Sequence, residues 1–243
     1  MLKIDGYKLK IVRNFERGQT LTDWLTSYHT FSFNTYYNPE MMNFRSLRVI
    51  NEDYVEKGVG FPMHSHKDME IITYVINGEL AHKDSLGNGS VISTGEVQYM
   101  RAGSGISHSE FNNSQNKRVH FLQIWIMPNQ KSLNPSYEQK FFAESDKKNS
   151  LKLIVSGDGR DDSIKISQDA DLYLSKIDPG EKIVHIVKPG RSLWLQVING
   201  SVEIDVVKEL LFSAGDAVGV EGEINKLSFH THKGAEVLLF DLG

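Results

Sequence analysis

The chain has no cysteine among its 243 residues. Disulfides and thiolate metal ligands are both excluded, and the composition fits a reducing compartment such as the cytoplasm. Long apolar runs are missing too. Nothing approaches the roughly 18 consecutive apolar residues of a membrane helix, so no membrane partner is expected. The opening stretch, Met1 to Val12, alternates lysine with apolar residues and lacks the apolar core of a signal peptide. There is no excess of basic charge either. A formal net charge of −4 argues against direct contact with nucleic acid, which a basic face usually supports. With 24% charged and 40% apolar residues, the composition is that of an ordinary globular protein. Its length allows one large β domain or two of about 120 residues.

The most informative stretch runs from Gly58 to Asn112. It holds Gly58-Val59-Gly60-Phe61-Pro62-Met63-His64-Ser65-His66 and, about forty residues on, Gly103-Ser104-Gly105-Ile106-Ser107-His108-Ser109-Glu110. Residues i and i+2 of a strand share a face. His64 and His66 therefore project together, as do His108 and Glu110. If the two strands face each other across a barrel, three imidazoles and one carboxylate converge. Such a set suits iron, nickel, copper, manganese or zinc better than calcium or magnesium. A lone His-x-His is often a surface coincidence; two paired motifs, each beside its own glycines, are a stronger signal. Parity also admits Glu70 as the acidic donor, so spacing alone leaves Glu70 and Glu110 open.

Around these motifs the chain reads as short strands and tight turns. Glu70-Ile71-Ile72-Thr73-Tyr74-Val75-Ile76 is rich in β-branched residues and ends at Asn77-Gly78, a hairpin signal. Leu86-Gly87-Asn88-Gly89-Ser90 is a second turn, and His120 to Met127 reads as a buried strand. Upstream, Thr22 to Leu25 is expected as a short helical turn. The aromatic residues from Tyr28 to Phe44 are expected to close one barrel end, with His29 as a structural hydrogen bonder. Pro128 to Pro135 reads as a linker, after which Tyr137 to Phe142 is expected at the domain junction. Val75-Ile76-Asn77-Gly78 recurs 122 positions later as Val197-Ile198-Asn199-Gly200, and Gly95-Glu96-Val97 is echoed 120 positions later by Gly215-Asp216-Ala217. A fixed offset of half the chain marks a duplicated domain. The expected fold is thus all-β, with two tandem jelly-roll-like barrels over residues 1–130 and 131–243. At the same offset His64 and His66 fall on Ile186 and Lys188. The second half is expected without a metal site, although His230 and His232 lie near the counterpart of His108. His82, His120 and His185 are read as structural or surface histidines.

Several words of the chain resemble the pirin family of double cupins. They are His29-Thr30-Phe31-Ser32-Phe33, Leu47-Arg48-Val49-Ile50-Asn51, His66-Lys67-Asp68-Met69-Glu70-Ile71, Ala102 to Glu110, Gln123-Ile124-Trp125-Ile126 and Val237 to Leu242. The resemblance spans nearly the whole chain and is nearest to the bacterial pirins with quercetin dioxygenase activity. Gly103 stands where many cupins have proline, a departure that pirin-like sequences share. The resemblance implies His64, His66, His108 and Glu110 as metal ligands, rather than the Glu70 of many other cupins. It implies one divalent transition metal, foremost Fe(II), with Ni, Cu, Mn, Co or Zn as alternatives. It implies opening of a flavonol ring by O₂. Glu110 is the candidate general base, which would take the 3-hydroxyl proton as the substrate binds if it loosens from the metal. A monomer is expected. The rival expectation is a metal-containing regulatory module that acts through a protein partner. A cupin isomerase or sugar-binding protein is a third.

Overall fold

The structure is a computed structural model that describes residues 2–4 and 6–243, with only the backbone described for Leu2–Ile4 and Lys208. It is almost wholly β. The described helices are one α turn, Glu144–Lys147, and two single 3₁₀ turns. The chain divides into two compact units: Gly18–Phe142 with Ile166–Gln168, and Met1–Arg17 with Ala143–Lys165 and Asp169–Gly243.

The first unit is a jelly-roll-like barrel of two sheets. Seven strands form one sheet, in the order Ser136–Phe141, Glu96–Arg101, Glu70–Asn77, Val119–Ile126, Leu47–Val55, Leu25–His29 and Gly18–Leu21. Four strands form the other: Gly60–His66, Ile106–Asn112, Glu79–Asp84 and Gly89–Ser93. Val55, Val75, Leu80, Ile92 and Phe121 make a packed apolar core. The second unit is an eleven-stranded sheet wrapped around a larger apolar core that includes Leu195, Phe212, Val220, Leu227, Phe229 and Leu239. The duplication seen in the sequence reappears as geometry. Gly95 and Gly215 both take φ +86°, and their amides donate to the carbonyls of Val75 and Val197.

The units differ in extent from the halves expected at 130/131. Tyr7–Val12 pairs antiparallel with Ala217–Glu221, so the first seventeen residues belong to the second unit. The Pro128–Pro135 stretch does not end the first one. Ser132 N–H donates to Asp68 (2.6 Å), and the Leu133 carbonyl accepts from Ser104 N–H (2.8 Å). Gly103, at φ +50°, sits so close beneath this loop that a Cβ would lie 2.0 Å from the Leu133 oxygen. That explains why a residue with no side chain is needed there. Ser136–Phe141 then returns as a strand against Glu96–Arg101. Thr22 to Leu25 is not helical. It is a hairpin loop in which Thr22 Oγ1 accepts from Leu25 N–H at 3.0 Å.

Candidate metal centre

His64 and His108 are direct cross-strand partners in the ladder between Gly60–His66 and Ile106–Asn112. One nitrogen from each of His64, His66 and His108 lies within 4.8 Å of the others. The ring centroids are 4.5 to 4.8 Å apart. Below this pair the ladder slips by one residue, so that Glu110 faces Phe61 rather than Pro62. Gly60 permits the tight crossing; a Cβ on it would meet the Glu110 carbonyl at 2.1 Å.

The donor atoms are prepared for a cation. His64 Nδ1–H donates to the Pro62 carbonyl at 2.8 Å, which directs its other nitrogen inward. His66 Nε2 and both nitrogens of His108 are buried without a hydrogen-bond partner. Such atoms are rare unless something occupies them. Burial holds the His66 pKa down at about 4, with His64 adding to the effect, and pushes His108 further down. Neutral imidazoles with unshared lone pairs are what a transition metal binds. The residues therefore fit a divalent transition metal of the N/O-ligated kind.

The two candidate carboxylates separate clearly. Glu70 is fully buried, and its oxygens accept from Tyr99 O–H (2.8 Å), Ser167 N–H (2.6 Å) and Gln168 N–H (3.2 Å). Its parity with the histidines is not preserved, because the strand ends at His66 and Asp68 takes φ +49° before the next one starts. Glu110 shares the buried face of its strand with His108. Its Oε2 accepts from Gln123 Nε2 at 2.8 Å, and its Oε1 is buried without a partner. It is not among the residues gathered within 4.8 Å. Burial raises its pKa to about 7, and the nearby Asp53 charge adds to the rise.

Next to these groups lies a cavity of about 480 Å³, bounded by both sheets of the first unit. His64, His66 and Glu110 line it from the four-stranded sheet; Asn51, Asp53, Gln123 and Trp125 line it from the seven-stranded one. Phe33 and Phe61 add apolar wall. Asp53 was not anticipated from sequence. It is buried, its Oδ1 has no partner, and burial lifts its pKa to about 7. Gln123 was anticipated only as part of a family word. It links Glu110 to the Trp125 indole, whose N–H donates to its Oε1 at 3.2 Å. The clue for Asp53 and Gln123 was alternation with Asn51 and Trp125 on two neighbouring strands, but their pairing is not written in local sequence. His29 also lines the cavity. Both its nitrogens are engaged, one with Asn51 Oδ1 and one with Thr20 Oγ1, each at 2.8 Å. His82 is buried with neither nitrogen hydrogen-bonded, its ring 5.3 Å from His108 and stacked on Tyr137. His185 Nε2–H donates to Asp241 Oδ2 at 2.7 Å.

Two cupin barrels, one of them holding three converging imidazoles beside a pocket, define the class: a metal-binding bicupin. The comparisons with known proteins agree. The family described as Pirin matches residues 10–126, and the one described as Quercetinase C-terminal cupin domain matches residues 153–242. The chain is 46% identical over 227 residues to a protein of Escherichia coli (strain K12) named quercetin 2,3-dioxygenase, over 93% of this chain and 95% of that one. It is 37% identical over 219 residues to a Caulobacter vibrioides protein named pirin-like, over 90% and 92%. The crystal structure of Escherichia coli YhhW superposes with a TM-score of 0.91 at 43% identity, over 97% of this chain and 98% of that one. The nickel(II) complex of that bacterial pirin superposes with a TM-score of 0.90 at 43% identity, over 97% and 99%. This chain belongs to the pirin family.

Proposed function

We propose that the chain is a pirin-type, metal-dependent quercetin 2,3-dioxygenase, which opens the flavonol ring of quercetin or a related polyphenol with O₂. The observation that carries the reading is the group of three imidazoles, with unpartnered buried nitrogens on His66 and His108, beside an aromatic-walled cavity. The names of the relatives point to the same chemistry. His64, His66, His108 and Glu110 would hold the metal, with Fe(II) as the first choice. Nickel, copper, manganese, cobalt and zinc suit the same donors. When bound, the metal supplies Lewis acidity and open positions for the activation of the flavonol towards O₂.

The chain's own residues supply the rest. Phe33, Phe61 and Trp125 offer flat apolar surface to a planar polyphenol and keep water from it. Glu110 Oε1 receives the proton of the flavonol 3-hydroxyl. It does so once it loosens from the metal as the substrate binds, in a buried setting that favours the protonated carboxyl. Gln123 holds the other carboxylate oxygen and so orients the base. Asp53 accepts a further phenolic hydroxyl from the opposite sheet. The reading includes a monomeric enzyme, and a place in the cytoplasm that fits the lack of cysteine. No described helix is long and apolar enough to cross a membrane.

The test is oxygen uptake with quercetin, using protein loaded separately with iron, nickel, copper or manganese and assayed for metal content. Turnover proportional to bound metal is expected. Full metal occupancy with no turnover in any of the four would transfer the reading to a regulatory module acting through a protein partner.

A further inference from the structure

A second set of metal-ligating atoms meets in the other unit. Glu203 lies near the end of the strand Ser192–Ile204, His230 ends the strand Lys226–His230, and His232 follows two residues later. His230 Nε2 is 3.6 Å from Glu203 Oε2, and His232 Nε2 is 3.3 Å from Glu203 Oε1. The two rings meet edge to face with centroids 5.2 Å apart. One donor atom from each residue lies within 4.8 Å of the other two.

The placement differs from that of the first centre. Leu227 and Phe229 face the apolar core, so the alternation of the strand puts His230 on the other side. The side chains of His230, Glu203 and His232 are 32%, 43% and 68% exposed. Water can therefore complete the coordination of an ion held there, as three protein ligands require. A single carboxylate flanked by two imidazole nitrogens is over-supplied as an ion pair. As a donor set of two nitrogens and one oxygen, it matches borderline divalent transition metals such as zinc and nickel, and not calcium or magnesium. The location also gives an ion something to do. Lys226–His230 pairs with Ser192–Ile204 through two positions only, Glu203 with His230 and Ile204 with Phe229. The ligands sit at the end of that short ladder.

We propose that Glu203, His230 and His232 form a second, solvent-facing site for a divalent transition metal, which clamps the end of Lys226–His230 to Ser192–Ile204. This departs from the expectation that the second half carries no metal. It is independent of the dioxygenase reading.

The test is calorimetric titration of zinc chloride into metal-free full-length protein, with bound zinc counted after dialysis. The parent is expected to bind two zinc ions per chain, the second more weakly. The double variant His230→Ala/His232→Ala should bind one, and His64→Ala/His66→Ala should keep the weaker one. Glu203→Gln should weaken the second site at least about tenfold, as loss of a charged oxygen donor implies. Thermal unfolding supplies a second readout. Without zinc, His230→Ala/His232→Ala should melt as the parent does, because both side chains lie outside the core. With zinc, the rise in Tm that His64→Ala/His66→Ala retains should vanish when His230 and His232 are also replaced. No bound zinc in His64→Ala/His66→Ala would overturn the proposal. So would a second zinc that survives unchanged in His230→Ala/His232→Ala.

Discussion

The two barrels are built from a repeated pattern but have opposite interiors. In the second, Leu195, Phe212, Val220, Leu227, Phe229 and Leu239 fill the middle, and His230 and His232 lie outside. In the first, a smaller apolar cluster occupies only part of the interior. The remainder is given to three imidazoles, Glu110, Asp53 and Gln123 around a cavity. The second barrel shows what the fold does when stability alone shapes it. The first shows the same plan with buried titratable groups and open space, both of which cost stability. The difference lies in the loss of counterparts to His64 and His66, which fall on Ile186 and Lys188, and in the outward face that His230 occupies.

The comparison can be broken first at the imidazoles. His64→Ala removes one of the converging donors, and metal affinity should fall at least about 100-fold, with quercetin turnover lost alongside. Glu70→Gln should keep the metal, since the Glu70 oxygens already serve Tyr99, Ser167 and Gln168. Elemental analysis of the two variants decides the matter; full occupancy in His64→Ala would remove His64 from the ligand set.

Glu110→Gln comes next. It retains an oxygen donor but loses the basicity, so turnover per bound metal should drop by roughly 100- to 10,000-fold. Metal must be counted in the same sample, because a weakened site would mimic a lost base. Activity per metal equal to the parent's would reject Glu110 as the base.

In the second barrel the equivalent disturbance is to packing. Phe229→Ala should cost about 3–5 kcal/mol there. Hydrogen exchange should show faster opening of Lys226–His230 and its neighbours, with metal binding at His64, His66 and His108 unaffected. Equal loosening of both barrels would mean that they unfold as one.

The gentlest change acts on Asp53. Its pKa rises from 3.8 to about 7 on folding. The folded metal-free protein thus keeps a proton that the unfolded chain has released, and stability declines as pH rises through that window. Asn mimics the protonated carboxyl. Asp53→Asn should flatten this decline and stabilise the metal-free first barrel above pH 7, by up to about 4 kcal/mol. Melting curves from pH 4 to 8 test it. The same pH slope in parent and variant would show that Asp53 is ionised in the folded state.

How much of this was legible beforehand follows from the range of the interaction. Strand alternation and turn chemistry are local, so the paired motifs at His64, His66 and at His108, Glu110 could be read directly, as could the repeat marked by Asn77-Gly78 and Asn199-Gly200. The sequence words were also enough for the pirin resemblance and the all-β fold. Other features depend on contacts that no local pattern encodes. Tyr7–Val12 joins the second barrel because its hydrogen-bonding partner lies some two hundred residues away. Glu70 turns aside because Asp68 breaks the strand between it and His66, which parity counting assumes to be continuous. Asp53 and Gln123 enter the pocket only once Leu47–Val55 and Val119–Ile126 are paired in register. The outward aim of His230 and His232 was likewise decided by the core, which took the alternate residues Leu227 and Phe229 for itself.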